Sequence, residues 1–325
     1  MHSELISTLI ILLLCCVALT VLDLAVSGVV ALVTGIQFMR VFVYGLLSLL
    51  LPVVLVAYGI AVERNCCKVI NVELPFDDLP AAFDGYILLQ LSDIHSRSFI
   101  KRTRALQRMV DKANAQNADI ILFTGDLVTI GPDELDFTAQ VLRQLKADDG
   151  VMSVLGNHDY GIYGGGSHGG QVRPDYVRNL AERERAMGWD LLLNEHRIIT
   201  RGQDSIAVVG VENTTPSRHF PSRGNLAQAM EGTDGMFHVL LSHDPMHWDM
   251  EASEKCQLTL SGHTHAIQFS LLGWCPSRYL FRQYRGLYSK AGHFLYVNIG
   301  LGETVFPARI GTVPEITVIT LRCSR

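Results

Sequence analysis

The sequence predicts a layered α/β domain that follows a set of membrane-spanning helices. Two observations support this prediction. Apolar segments alternate with amphipathic segments through most of the chain, and this order is typical of a sheet covered by helices. Residues 1–65, in contrast, are almost continuously apolar. No linker, internal repeat or low-complexity tract divides residues 66–325, so we expect a single catalytic-sized domain there.

Three apolar runs occupy residues 1–65. The first extends from Leu5 to Val26, a Gly-containing run covers 27–39, and the third extends from Val41 to Val62. Because about 20 apolar residues span a bilayer as a helix, the first and third runs are long enough. The second run spans only if it includes residues from its flanks. We therefore expect a membrane anchor of two or three transmembrane helices.

Two other interpretations of the first run fit the sequence less well. A cleavable signal peptide has a basic region at its start, and residues 1–4 contain no Lys or Arg. A buried core helix is not expected because the three runs follow one another with scarcely a polar residue between them.

Basic residues near the last run bear on the orientation of the domain. Arg64 and Lys68 follow this run and favour a cytoplasmic domain by the positive-inside rule, whereas Arg40 favours the opposite side. The seven cysteines show no disulfide framework, in agreement with a reducing compartment. We expect a cytoplasmic domain. The net charge of −5 provides no basic field for nucleic acid, so no nucleic-acid partner is expected.

The domain itself follows the order strand, polar loop, helix. In such folds ligands bind beyond the carboxyl ends of the strands. The predicted helices cover residues 102–115, 133–146 and 175–187. The predicted strands cover residues 68–75, 86–91, 119–124, 150–155, 191–200, 205–211, 238–242, 258–261, 296–299 and 315–321.

Polar side chains stand directly after five of these predicted strands. Asp93 and His95 are two residues apart, so on an extended backbone both point to one side and can reach one ion. Oxygen and imidazole donors without a thiolate suit Mn, Fe or Zn better than a structural zinc site. The candidate metal ligands are Asp93, His95, Asp126, Asn157, His243, His263 and His265.

Each of these residues also has an ordinary alternative role. Asp93 suits a helix cap and Asn157 a turn, and His243 suits a hydrogen-bonded core position. Five strand-end motifs in succession favour a shared site instead. Glycine precedes Asp126, Asn157 and His263, which lets the backbone turn sharply and leaves room for a substrate.

The order Asp-x-His, Gly-Asp, Gly-Asn-His-Asp, His and Gly-His-x-His resembles the calcineurin-like metallophosphoesterase superfamily. The stretches Ser-Asp-Ile-His and Ser-His-Asp-Pro and the late Gly-Leu-Gly, Pro-Ala-Arg and Pro-Glu-Ile also resemble its membrane-associated bacterial branch. The resemblance includes every signature block of that superfamily. It implies a four-layer α/β/β/α sandwich that hydrolyses phosphoesters with a metal-activated water. This chain has Ala-Ile-Gln after Gly-His-Thr-His, where many relatives have Gly-Gly-Gln, and a Gly-rich loop after Asp159. Both differences concern access of the substrate.

The resemblance also assigns roles to individual residues. It implies that His158 contacts the phosphate as an electrophile or general acid, and that Asp159 orients its imidazole. It implies two divalent ions (Mn, Fe or Zn) that share Asp126. The ligands of one ion are Asp93, His95, Asp126 and His265, and those of the other are Asp126, Asn157, His243 and His263.

These observations predict a membrane-anchored phosphodiesterase, phosphatase or pyrophosphatase. The anchor favours a lipid-linked phosphate or a nucleotide-diphosphate lipid as the substrate. The alternative is a catalytically silent sensor or scaffold at the membrane, which loss of His158 or of the bridging Asp126 would indicate; both are present. His168 and Arg309 are further candidates for phosphate contacts, and the alternatives are a solvated loop histidine and a surface ion pair.

Overall fold

The computed structural model describes residues 2–164 and 171–324. Within these residues, twelve strands form two six-stranded sheets. The strands are β1 (Lys68–Phe76), β2 (Ile87–Leu91), β3 (Ile120–Phe123), β4 (Val151–Ser153), β5 (Trp189–Leu191), β6 (Glu195–Arg201), β7 (Asp204–Gly210), β8 (Phe237–Leu241), β9 (Leu258–Ser261), β10 (Gly286–Lys290), β11 (His293–Val297) and β12 (Glu315–Cys323).

The helices of the described residues lie mainly before and between these strands. The α-helices are α1 (His2–Thr34), α2 (Phe38–Gly45), α3 (Leu50–Ala61), α4 (Thr103–Asn114), α5 (Leu135–Leu142), α6 (Pro174–Met187), α7 (Leu226–Ala229) and α8 (Met246–Met250).

Two N-terminal helical segments, Ile6–Thr34 and Phe38–Asn65, are long and apolar enough to cross a membrane. The first predicted run and most of the second therefore form one continuous helix. The chain leaves this helix at Gly35, whose φ is +72°. Glycine adopts this left-handed conformation without a steric penalty, which makes it a common terminator of helices. The described residues therefore contain two segments of membrane-spanning length, and the anchor of two or three transmembrane helices stays a prediction.

The first sheet has the strand order β1-β12-β2-β3-β4-β5, and the second has the order β10-β11-β9-β8-β7-β6. The strands β2 to β5 run parallel to one another, as do β7, β8, β9 and β11. Parallel strands of a covered sheet are apolar on both faces. This explains why β3 and β8 are buried along their full length.

Four layers result from the packing of these sheets. Side chains such as Leu88 and Leu122 of the first sheet meet Val239 and Leu260 of the second in one apolar core. The opposite face of the first sheet packs against α4, α5 and α6. The opposite face of the second packs against α7, α8 and their flanking turns. The α/β/β/α sandwich is therefore confirmed.

Helix α4 illustrates how the sequence determines this packing. Its buried residues are spaced three and four apart, so that one face of the helix covers the first sheet; they are Ala105, Leu106, Met109, Val110 and Ala113. The helix predicted at 133–146 is shorter in the structure. A 3-10 turn precedes α5, and α5 ends at Leu142. The Glu134 carboxylate accepts the backbone N–H groups of Thr129 and Ile130.

A buried carboxyl group in α6 makes the stability of the domain depend on pH. Glu184 accepts a hydrogen bond from the Ser153 hydroxyl, and burial raises the pKa of Glu184 from 4.5 to about 8. The folded state therefore binds more protons than the unfolded state between these values. Stability is lost as the pH rises through this window, by up to about 1.4 kcal/mol per pH unit.

We predict that Glu184→Gln removes this dependence. The unfolding temperature of the purified full-length chain should fall less between pH 5 and pH 8 in the variant than in the wild type. Glu182→Gln, which changes an exposed residue of the same helix, is the matched control and should behave as the wild type. Equal pH dependence of the wild type and Glu184→Gln would contradict the prediction.

Candidate metal centre

The predicted ligands converge on one end of the two sheets. The loop after β2 contributes Asp93 and His95, and the loops after β3 and β4 contribute Asp126 and Asn157. The second sheet contributes His243 after β8, and His263 and His265 after β9. His263 is partly exposed, and the other six are buried. Parallel strands in both sheets therefore deliver all seven side chains to the same place.

The backbone of this site is strained. Five of the seven residues have φ between 44° and 73°, in the left-handed region that non-glycine residues seldom adopt. Each such position costs on the order of 1–3 kcal/mol, and it persists only where the surrounding structure enforces it. The strained residues are Asp93, His95, Asp126, His263 and His265.

The donor atoms form three groups that could hold an ion: Asp93, His95 and His265; Asp126, His243 and His263; and a third, His95, Asp126 and His158, which shares residues with the first two. In the first, Asp93 Oδ1 lies 3.3 Å from His265 Nε2, and the Nε2 atoms of His95 and His265 are 3.0 Å apart. In the second, Asp126 Oδ2 lies 3.2 Å from His243 Nε2, and His263 completes the group. Asp126 Oδ2 is also 3.6 Å from His95 Nε2. One carboxylate therefore reaches both groups.

Surrounding hydrogen bonds fix these side chains. The Nδ1 of His243 donates to the Thr124 carbonyl over 2.8 Å, which directs Nε2 toward Asp126 and toward Asn157 Oδ1, 3.2 Å away. The Asp93 carboxylate accepts the Ser92 hydroxyl at 2.5 Å. Partners of this kind set the orientation of metal-binding side chains.

The electrostatics of the site favour a cation. Burial alone would raise the pKa of Asp126, but His243 and His158 hold it well below its usual value. Burial would lower the pKa of His243, but the Asp126 carboxylate raises it to about 10. The carboxylates of Asp93 and Asp126 are therefore ionised in a buried site, where charges are paired or bind metals. Two carboxylates, an amide oxygen and four imidazoles fit a divalent ion.

The structure corrects the expected partner of His158. Asp159 does not contact the imidazole; its carboxylate accepts the backbone N–H groups of Asp126, Val128 and Gly156 at 2.8–3.0 Å. The Nδ1 of His158 instead donates to the Thr129 carbonyl over 2.7 Å. The two residues are adjacent in the 3-10 turn His158–Tyr160, in which Asp159 is buried and His158 is partly exposed. Asp159 thus holds the loops of the site together.

Three further residues contact the site but do not follow a strand-end pattern. Thr129 holds His158 as described. Tyr163 stacks on the His158 ring with 4.0 Å between centroids, and its hydroxyl accepts a hydrogen bond from Asn157. Arg309 is completely buried rather than in a surface ion pair, and its Nη2 lies 3.2 Å from His265 Nδ1. His168 lies outside the described residues.

Comparisons with known proteins identify the family of this chain. A family model described as calcineurin-like phosphoesterase matches residues 87–266. A transmembrane protein with metallophosphoesterase domain from Danio rerio is 32% identical over 290 residues, which cover 85% of this chain and 62% of the relative. The uncharacterized metallophosphoesterase YkuE from Bacillus subtilis is 29% identical over 250 residues, which cover 75% of this chain and 82% of the relative.

Among solved structures, a dimetal phosphatase from Danio rerio aligns with a TM-score of 0.40 at 11% identity. The alignment covers 68% of this chain and 89% of that chain. The chain spans less than two thirds of the length of the transmembrane relative from Danio rerio.

We predict that Gly156→Ala prevents normal metal binding. A Cβ at this position would collide with the Asp126 carboxylate and lie 2.6 Å from the backbone nitrogen of Asp126. The affinity for Mn²⁺, measured by calorimetry after removal of metals, should fall roughly 10–100-fold, as it does when the surroundings of a ligand are disturbed. At Gly28 of α1 a Cβ would meet nothing within 4 Å, so Gly28→Ala should bind as the wild type. Unchanged affinity of Gly156→Ala would refute the prediction.

Proposed function

Because the chain belongs to the calcineurin-like phosphoesterase family, we propose that it is a membrane-anchored phosphoester hydrolase that uses two divalent metal ions. The observation that carries this proposal is the position of Asp126, whose Oδ2 lies 3.6 Å from His95 Nε2 and 3.2 Å from His243 Nε2. A carboxylate between two groups of nitrogen and oxygen donors is what a pair of ions requires.

The proposed ligands divide between two ions. Asp126 is shared; Asp93, His95 and His265 complete the first set, and Asn157, His243 and His263 complete the second. The absence of a thiolate from these sets favours Mn, Fe or Zn. When bound, such ions neutralise charge on the phosphoryl oxygens and lower the pKa of water.

His158 is the proposed proton donor to the leaving oxygen. Its Nδ1 is engaged by the Thr129 carbonyl, so Nε2 is the nitrogen that remains for the substrate. Stacking of Tyr163 restricts the ring further. A histidine held in one orientation, with one nitrogen directed at the substrate, suits general acid catalysis.

The anchor supports a substrate at the membrane. The segments Ile6–Thr34 and Phe38–Asn65 have the length and composition of membrane spans, and similar proteins carry the description transmembrane. We propose residues 1–65 as the anchor and residues 66–325 as the catalytic domain. Arg64 and Lys68 favour the cytoplasmic side. A lipid-linked phosphoester is the substrate class that suits this arrangement.

We predict that the full-length chain, freed of metals and resupplied with Mn²⁺, hydrolyses p-nitrophenyl phosphate or bis-p-nitrophenyl phosphate. Asp126→Asn should abolish this activity because it removes the shared charge. Asp148→Asn, at an exposed site, is the control. A folded wild-type chain that binds ions but hydrolyses neither compound with any of the three metals would favour the silent sensor or scaffold instead.

A second prediction concerns His158. His158→Asn should lower kcat roughly 10²–10⁴-fold, the usual contribution of general acid–base catalysis, while the number of bound Mn²⁺ ions stays as in the wild type. The leaving group p-nitrophenolate needs no proton, so activity on a p-nitrophenyl ester should fall less than activity on an alkyl ester. An equal loss on both substrates would exclude His158 as the proton donor.

A further inference from the structure

A cavity of about 1620 Å³ connects the metal centre with the N-terminal helices. Its lining changes in character from one end to the other. At one end lie metal-centre residues, among them Asp126, Asn157, His158 and His263. At the other end lie the apolar side chains of α1 and α3. A single space therefore joins a site for charged ligands to an apolar site.

Phenylalanine side chains begin the transition next to the metal centre. The rings of Phe220 and Phe281 stand edge-on to the His263 imidazole, with centroids 5.5 and 5.8 Å away. Both rings line the cavity. Apolar rings therefore stand beside His263, and cationic side chains, among them Arg97, Lys101 and Arg102, also line the cavity.

The helices form the apolar end of the cavity through one face each. The lining residues of α1 recur at intervals of three and four, as one face of a helix requires. Those of α3 follow the same spacing. The lining side chains include Leu12, Cys15 and Leu19 of α1, and Leu51, Leu55 and Val56 of α3.

Direct contacts hold α3 against the domain. A Cβ on Gly59 would lie 2.6 Å from the Arg309 carbonyl, so the absence of a side chain permits the close approach. Arg64 donates to the Pro307 carbonyl at 2.8 Å. Arg102 donates to the Arg64 carbonyl at 3.2 Å and pairs with Glu303 at 2.6 Å. The helical wall is therefore a fixed part of the cavity.

We propose that the apolar end of this cavity binds a hydrocarbon chain of the substrate while its phosphate lies at the metal centre. The inference rests on the proposed function and adds a site to it. The occupant follows from two facts. The wall belongs to segments of membrane-spanning length, and the same cavity combines metal-centre residues with apolar residues of those segments, as a ligand with a phosphate and a hydrocarbon chain requires. Burial of each methylene in such a site strengthens binding.

The test compares two inhibitors that differ only in chain length. Butyl phosphate and dodecyl phosphate compete with the hydrolysis of bis-p-nitrophenyl phosphate by the full-length chain in digitonin, a detergent without an alkyl chain. In the wild type, dodecyl phosphate should inhibit at a concentration at least roughly tenfold lower than butyl phosphate, because its additional methylenes are buried.

Leu55→Trp should lower this ratio because the larger indole narrows the apolar end. Val54→Trp is the matched control: Val54 is the neighbouring residue, 60% exposed, and does not line the cavity. Val54→Trp should keep the wild-type ratio. Because dodecyl phosphate partitions into the micelle equally with both variants, the comparison corrects for this partition. If Leu55→Trp fails to fold, Leu12→Trp with Leu13→Trp as its control repeats the comparison on α1.

The outcomes separate the two proposals. Either of two results overturns the hydrocarbon site and leaves the hydrolase intact. One is a ratio near one in the wild type, and the other is an unchanged ratio in Leu55→Trp or Leu12→Trp. Absence of metal-dependent hydrolysis in the wild type overturns the proposed function itself. A high ratio in the wild type and in the controls that falls only in Leu55→Trp or Leu12→Trp supports both the hydrocarbon site and the hydrolase.

Discussion

The site depends on the contacts that the buried carboxylate of Asp126 makes with loops of both sheets. Asp126 follows β3 of the first sheet and lies against His243 of the second sheet, at 3.2 Å. Its Oδ1 accepts the backbone N–H of His158, and its own N–H donates to Asp159. One residue thus joins the loops of both sheets. A negative charge in such a place is stable only among cationic or hydrogen-bonding groups, which explains the imidazoles around it.

Much of this arrangement could be predicted from the sequence, because it depends on local patterns. Apolar runs such as 119–124 mark buried strands, and the polar residues that follow them collect at one edge of the sheets. Strands β5 and β10 were not predicted; β5 has only three residues, and the exposed β10 lacks a continuous apolar run. The role of Arg309 depends on a contact with the distant His265, and that of Tyr163 on an irregular loop that brings its ring back onto His158. Neither contact follows from an apolar pattern.

The segment around Arg309 connects the metal centre to the N-terminal helices. The Arg309 carbonyl lies against Gly59 of α3, and its guanidinium approaches His265 and donates to the carbonyls of Ile299 and Thr312. A surface role was a reasonable expectation for an arginine, since burial of a guanidinium requires that its donors be satisfied. The carbonyls of neighbouring loops meet this requirement. The same residue therefore contacts a proposed metal ligand and the proposed anchor.

The proposed hydrolase depends most directly on the sharing of Asp126 by two ions. Electron paramagnetic resonance of the full-length chain, loaded with Mn²⁺ after chelation, tests this sharing. We predict two Mn²⁺ ions per chain with the spectrum of an exchange-coupled pair, since ions bridged by one carboxylate lie about 3.5–4 Å apart. Asp126→Asn should lose the coupling. One ion per chain, or two ions with the spectrum of isolated Mn²⁺, would contradict the account.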